Sequence, residues 1–118
     1  MSGLIQLSVL QLQTMLSAQE APASLLLLDV REPWEAALAS IQPSSTASAA
    51  SLLMPMGEVT ARWQELDPQQ PIVCYCHHGM RSLQVVAFLQ RQGFDSVYNL
   101  AGGIDAWSSE ADGSVPRY

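Results

Sequence analysis

Residues 72–82 read IVCYCHHGMRS, an apolar run followed by a short loop that contains Gly79. The run is typical of a buried strand, and the residues from Ser82 onward have a helical pattern. This order places Cys76 at the carboxyl end of a strand, where open α/β sheets bind their ligands. Loop amides and the N-terminus of the helix both favour an anion at that point. We therefore predict that Cys76 is a thiolate nucleophile.

Strand and helix patterns alternate on both sides of this stretch. Strands are predicted at residues 4–7, 25–28, 72–75 and 97–100. Helices are predicted to begin at Ser8, Pro33, Gly57 and Ser82 and after the turn at residues 101–103. Ser8 and Gln11 have the spacing of a capping box, and Gly93 suits the end of the fourth helix. The alternation predicts an α/β fold with a largely parallel sheet flanked by helices.

Two segments are predicted to lack regular structure. Residues 40–51 are rich in Ser and Ala, contain Pro43 and carry no charge, which indicates a surface loop or an insertion. The tail at residues 109–118 is expected to be loose. The 118 residues otherwise fit one domain. Three tryptophans are expected to cap the core because their rings bury large apolar areas; they are Trp34, Trp63 and Trp107.

Composition limits the classes of partner. The formal net charge is −6 and all five cations are arginine, so nucleic acid and anionic membranes are not expected to bind. No apolar run is long enough to span a bilayer, and the N-terminus lacks the basic start of a signal peptide. The two cysteines, Cys74 and Cys76, form no disulfide framework. We expect a reduced, cytoplasmic setting.

The chemistry of the loop suggests a role for each of its residues. Arg81 is predicted to attract and orient an anionic donor, and Gly79 to let the loop bend. The other loop residues, expected to surround the sulfur or line the mouth of the site, are His77, His78, Met80 and Ser82. Asp29 and Arg31 are expected to brace neighbouring loops, although a purely structural ion pair stays open. The compressed Cys and His spacing predicts no metal site.

Three blocks of the chain resemble the single-domain rhodaneses, a family of sulfurtransferases. They are residues 28–35 (LDVREPWE), 75–82 (YCHHGMRS) and 99–107 (NLAGGIDAW), with a weaker fourth block at 55–58 (PMGE). The resemblance implies a five-stranded, mainly parallel sheet whose cysteine loop cradles sulfur. The family usually continues its first block with a Gly-His-Ile-Pro-Gly-Ala-like stretch, whereas this chain has ASIQP at residues 39–43 and lacks that histidine.

The resemblance also implies a reaction without a cofactor. Cys76 would take the outer sulfur of thiosulfate or of a persulfide donor, and a cyanide, a thiol or a protein thiol would collect it from the Cys76 persulfide. Transfer in two half-reactions is covalent catalysis.

Two other functions stay open at this point. One is a persulfide carrier or regulatory binding module that has kept the fold. The other is a cysteine phosphatase or arsenate reductase, but those phosphatases place five residues between cysteine and arginine, whereas four lie between Cys76 and Arg81. For Cys74 we expect a core position; a disulfide with Cys76 would lie at the limit of disulfide geometry.

Overall fold

The computed structural model describes residues 6–17, 25–41, 49–111 and 113–116. In these ranges strands and helices alternate along the chain. The strands are β1 (Gln6–Leu7), β2 (Leu25–Asp29), β3 (Ala49–Leu53), β4 (Ile72–Tyr75) and β5 (Val97–Leu100). The helices are α1 (Val9–Ser17), α2 (Pro33–Leu38), α3 (Met56–Arg62), α4 (Met80–Arg91) and α5 (Gly103–Glu110), and a 3₁₀ turn at Trp63–Glu65 follows α3.

The five strands form one parallel sheet in the order β1-β5-β4-β2-β3. The strand that precedes Cys76, β4, lies in the middle between β5 and β2. The predicted fold class, an α/β fold with a five-stranded parallel sheet flanked by helices, is confirmed.

Apolar layers cover both faces of the sheet, which explains the continuous leucine run of β2. Leu26 and Leu28 pack into the layer under α3 and α4, whereas Leu25 and Leu27 pack into the layer under α1 and α5. A strand buried on both faces needs no polar alternation. Each buried leucine contributes about 1.5–3 kcal/mol relative to an exposed one, so this run stabilises the two layers at once.

The predicted helix ends match the local hydrogen bonds. At the start of α1, the Gln11 N–H donates to the Ser8 hydroxyl, 3.1 Å away, and the Ser8 N–H donates to the Gln11 side chain, 2.8 Å away. After α4, Gly93 has φ +97°, and the Phe94 N–H donates to the Leu89 carbonyl over 3.1 Å. This is the glycine cap that a helix uses to satisfy its last carbonyls.

Several boundaries differ from the prediction. Residues 40–51 were expected to form a loop, but Ala49–Ser51 belong to β3 and pair in register with Leu25–Leu27; residues 42–48 lie outside the described residues. The edge of β2 supplies backbone partners that the weak local pattern of Ser and Ala does not reveal. In the first predicted strand, residues 4 and 5 also lie outside the described part. Helix α4 begins at Met80 rather than Ser82, and the helix predicted over 57–66 changes to a 3₁₀ turn at Trp63.

The described part of the tail, residues 109–111 and 113–116, is also better ordered than predicted, while residues 112, 117 and 118 lie outside the described residues. Helix α5 continues to Glu110, and beyond it Val115 is buried while its carbonyl accepts a hydrogen bond from the Ser108 hydroxyl. Trp63 and Trp107 pack against the core as expected, but Trp34 is 63% exposed. None of the described helices has the length and apolar character needed to cross a membrane.

Candidate active site

Cys76 lies directly after β4, and its sulfur faces a ring of hydrogen-bond donors. The Gly79 N–H lies 3.1 Å from Sγ, the Ser82 N–H 3.4 Å and the Ser82 hydroxyl 3.3 Å. The residue is only 1% exposed. Because the first turn of α4 points its free N–H groups at the sulfur, the site suits a negative charge.

The pKa of Cys76 reflects two opposing effects. Burial raises the pKa, but the hydrogen bonds from the Ser82 hydroxyl and from the N–H groups of Ser82, Gly79 and Arg81 lower it, and the pKa lies below its ordinary value. Donors to the charged form stabilise the thiolate. The lowered pKa favours the thiolate, the form in which a cysteine can act as a nucleophile.

Cys74 has the opposite character, although both cysteines are free and pack into the same apolar layer. Burial first, and then the nearby charge of Cys76, raise the pKa of Cys74 well above its ordinary value. This places Cys74 in the core as a neutral thiol.

The loop keeps its shape because α5 holds its carbonyl groups. The Ile104 N–H donates to the Cys76 carbonyl over 2.9 Å, and the Asp105 N–H donates to the His77 carbonyl over 3.1 Å. Gly103, at φ +62°, packs so closely that a Cβ there would overlap both carbonyl groups. With the carbonyls held by α5, the N–H groups that follow are left to face the sulfur.

A buried network of hydrogen bonds, centred on Asn99 of β5, contacts Ser82. The Ser82 Oγ lies 2.5 Å from the Asn99 Oδ1, and the Asn99 amide donates to the Gln6 Oε1 over 2.8 Å and to the Gly79 carbonyl over 3.2 Å. These two bonds fix the orientation of the Asn99 amide. The single hydroxyl proton of Ser82 is shared between the Asn99 oxygen and the Cys76 sulfur. No local sequence pattern predicts a role for Asn99; the available signal is an amide inside an otherwise apolar strand.

Arg81 is paired with Glu35, an acid for which no local sequence pattern predicts a role. Its Nη1 lies 2.7 Å from the Glu35 Oε2, and its Nη2 lies 2.7 Å from the Glu35 Oε1. The Glu35 side chain is 4% exposed and also accepts the Glu32 N–H over 2.9 Å. The pair ties α2 to the first turn of α4. The guanidinium that was predicted to orient the donor thus meets a full negative charge.

Asp29 and Arg31 form a second, deeper pair that does not reach the sulfur. The Arg31 Nε lies 2.8 Å from the Asp29 Oδ1 and its Nη2 lies 2.7 Å from the Oδ2. The same guanidinium donates to the carbonyls of Glu35, over 3.3 Å, and Ala39, over 2.6 Å. These bonds brace the segment from β2 through α2, and a supporting role for the two residues at the sulfur site stays a prediction.

Of the remaining loop residues, His78 and Met80 are exposed and His77 is half-buried. The rings of His77 and His78 stack with their centroids 4.0 Å apart, and the His78 Nδ1 lies 4.0 Å from the Asp105 Oδ2. Met80 is 70% exposed. Among the described residues, no group of three or more His, Cys, Asp or Glu side chains is arranged to hold a metal ion.

The sequence matches the family profile of the Rhodanese-like domain over residues 8–110. The chain belongs to the rhodanese-like domain family. A solved relative, a rhodanese-related protein from Thermoplasma volcanium, superposes with a TM-score of 0.75 at 28% identity and covers 91% of this chain and 93% of its own. The five-stranded parallel sheet described above is therefore the rhodanese-like fold.

Named relatives point to the class of reaction. A Rhodanese-like/PpiC domain-containing protein 12 from Arabidopsis thaliana is 39% identical over 78% of this chain, which spans only 30% of that protein. A sulfurtransferase from Allochromatium vinosum is 39% identical over 70% of this chain and 71% of its own length. A thiosulfate sulfurtransferase GlpE from Pseudoalteromonas translucida is 35% identical over 75% and 78%. These relatives support sulfurtransferase activity in general for this rhodanese-like domain.

Proposed function

We propose that this rhodanese-like domain transfers sulfane sulfur through a persulfide on Cys76. The observation that carries the proposal is the set of donors around the Cys76 sulfur, from the N–H groups of Gly79 and Ser82 and the Ser82 hydroxyl. Donors that stabilise the thiolate also favour the persulfide anion, because its negative charge lies on the sulfur bonded directly to Sγ.

In the first half-reaction, the Cys76 thiolate attacks the outer sulfur of thiosulfate or of a persulfide. The new S–S bond forms as the donor's S–S bond breaks, and sulfite or a thiolate leaves with the electron pair. In the second, cyanide or a thiolate acceptor, including a protein thiolate, attacks the terminal sulfur, and the Cys76 thiolate leaves. The sum is a transfer of one sulfur atom between nucleophiles, so the scheme uses no cofactor and no external oxidant.

The proposed setting follows from the same chemistry. The free thiols of Cys74 and Cys76 suit a reducing compartment, and we place the domain in the cytoplasm. The net charge of −6 favours small molecules and protein thiols as partners over nucleic acid or an anionic membrane.

Loading of sulfur onto the protein tests the proposal. Purified protein is incubated with thiosulfate or a small persulfide, and its intact mass is measured before and after addition of cyanide. We expect Cys76 to gain one sulfur atom and cyanide to remove it as thiocyanate, in repeated turnovers. Cys76→Ser should abolish both steps, whereas Cys74→Ser, a matched change two residues earlier in the same layer, should keep them. Loading that survives Cys76→Ser would refute the proposal.

The same experiment separates an enzyme from a persulfide carrier. A carrier would gain one sulfur from a donor but would release thiocyanate only stoichiometrically. Phosphatase chemistry is disfavoured by the pairing of Arg81 with Glu35, since a phosphoryl group needs that guanidinium for its own oxygens.

A further inference from the structure

The two arginines nearest the sulfur loop both have their charge matched by a carboxylate. Arg81 makes two bonds of 2.7 Å to Glu35, and Arg31 makes bonds of 2.8 and 2.7 Å to Asp29. Further along the chain, Arg62 pairs with Glu58 and Glu65 on the surface. Local charge at the loop is thus balanced, inside a chain whose net charge is already −6.

The groups available to bind an incoming anion are the N–H and hydroxyl donors that face the Cys76 sulfur. These donors converge on a single sulfur position. They can stabilise one negative charge, which moves from the thiolate to the terminal sulfur during transfer. Thiosulfate brings two negative charges, one more than the single sulfur position on which these donors converge. A persulfide R–S–S⁻ brings one, and its remaining part can be uncharged.

Three large apolar side chains that neighbour the pair along the chain are exposed. Trp34 precedes Glu35 on α2 and is 63% exposed, Leu38 lies one turn later and is 52% exposed, and Met80 precedes Arg81 and is 70% exposed. Side chains of this kind favour contact with carbon groups and give no charge to a sulfonate. The environment therefore suits the organic part of a persulfide.

We propose that the Glu35–Arg81 ion pair is a specificity determinant that selects organic persulfides as sulfur donors and discriminates against thiosulfate. The inference rests on the proposed sulfur transfer through Cys76 and narrows its donor. In the step, the Cys76 thiolate attacks the terminal sulfur of R–S–S⁻, the S–S bond of the donor breaks, and R–S⁻ leaves with the electron pair. One persulfide anion and one thiolate enter and leave, so charge and electrons balance.

The experiment compares single-turnover loading from thiosulfate and from 2-hydroxyethyl persulfide, whose only charge is on sulfur. Each loading rate is divided by the rate at which the same donor reacts with free cysteine, which removes intrinsic reactivity. In the unmodified protein we expect the normalised rate for the persulfide to exceed that for thiosulfate by about tenfold or more. Equal normalised rates would overturn the proposal while leaving sulfur transfer intact, whereas no loading of Cys76 from either donor would overturn both.

Three variants test the role of charge. Glu35→Gln leaves the Arg81 charge unmatched, and we expect the thiosulfate-to-persulfide ratio to rise about tenfold. Glu35→Asp retracts the carboxylate but keeps its charge, so the ratio should stay close to that of the unmodified protein. Glu58→Gln makes the same change of net charge on α3, where it partners Arg62, and should leave the ratio unchanged.

These variants also separate charge from structure. If Glu35 only held α2 in place, Glu35→Gln and Glu35→Asp would slow loading from both donors and leave the ratio alone, which would overturn the proposal. A rise in the ratio with Glu58→Gln would assign the effect to net charge and overturn it as well. The comparison of the two donors on the unmodified protein decides the matter even if Glu35→Gln fails to fold.

Discussion

Replacement of Ser82 by alanine should raise the pKa of Cys76. The hydroxyl of Ser82 lies 3.3 Å from the sulfur, while its N–H, which the change retains, lies 3.4 Å away. Ser82→Ala therefore removes one donor and leaves the N–H groups of Gly79 and Arg81 in place. A donor stabilises the thiolate and not the thiol, so its loss favours the protonated form.

The magnitude follows from the strength of a hydrogen bond to a charged group. Such a bond contributes about 1.5–3 kcal/mol, and one pKa unit corresponds to about 1.4 kcal/mol. Because the Ser82 proton is shared with the Asn99 oxygen, we expect an effect at the lower end of this range. At a pH below both pKa values, the thiolate fraction then falls about tenfold, and the rate of sulfur loading falls with it.

The pH dependence of alkylation by iodoacetamide measures this shift. Cys76 is expected to dominate the reaction, because its pKa is lowered whereas that of Cys74 is raised. Ser108→Ala serves as the matched control, since it deletes a buried hydroxyl that bonds to the Val115 carbonyl, on α5 and away from the sulfur. A pKa that stays in place or falls in Ser82→Ala, or that rises equally in Ser108→Ala, would refute the reasoning.

Three further changes have defined outcomes. Gly103→Ala should lower the free energy of unfolding in urea by about 3 kcal/mol or more, because a Cβ there overlaps two loop carbonyls. Gly93→Ala, with open space around it, should lower it by only about 1–2 kcal/mol through backbone strain. Equal losses would contradict the packing argument. Asn99→Ala should lower the pKa of Cys76 on alkylation, since the Ser82 proton loses its competing acceptor, and should destabilise the fold by about 1–3 kcal/mol; a raised pKa would contradict it. Arg31→Ala should lower the free energy of unfolding by about 3–5 kcal/mol, because it leaves Asp29 as a buried unpaired charge; a loss below 1 kcal/mol, the size typical of a surface pair, would be contrary to expectation.

Local features of the chain could be predicted from the sequence because they depend on interactions between residues that are close along the chain. The capping box at Ser8 and Gln11 and the glycine end of α4 involve residues within a few positions of each other. The leucine run of β2 predicts a strand covered on both faces from its composition alone. By contrast, Ala49–Ser51 carry little strand preference of their own and become a strand only because β2 offers its free edge.

The site divides in the same way. Residues 72–82 determine a cysteine at a strand end, a glycine loop and a helix N-terminus, and these suffice to predict a stabilised thiolate. The partners of that loop come from distant positions: Glu35 and Arg81 are 46 residues apart, Asn99 and Gln6 are 93 apart. Whether Arg81 presents a charge or has it cancelled depends on where α2 packs.

The sequence by itself therefore determined the fold class and predicted a nucleophile at Cys76 with backbone donors around it, because backbone conformation and hydrophobic pattern are set over a few neighbouring residues. Only the tertiary structure decided the electrostatics of the site. The Ser82 proton is shared with Asn99 because β5 lies beside β4, and the Arg81 charge is matched because Glu35 of α2 is brought against the first turn of α4. Charges act through space, and their partners are fixed only when the strand order and the packing of the helices are fixed.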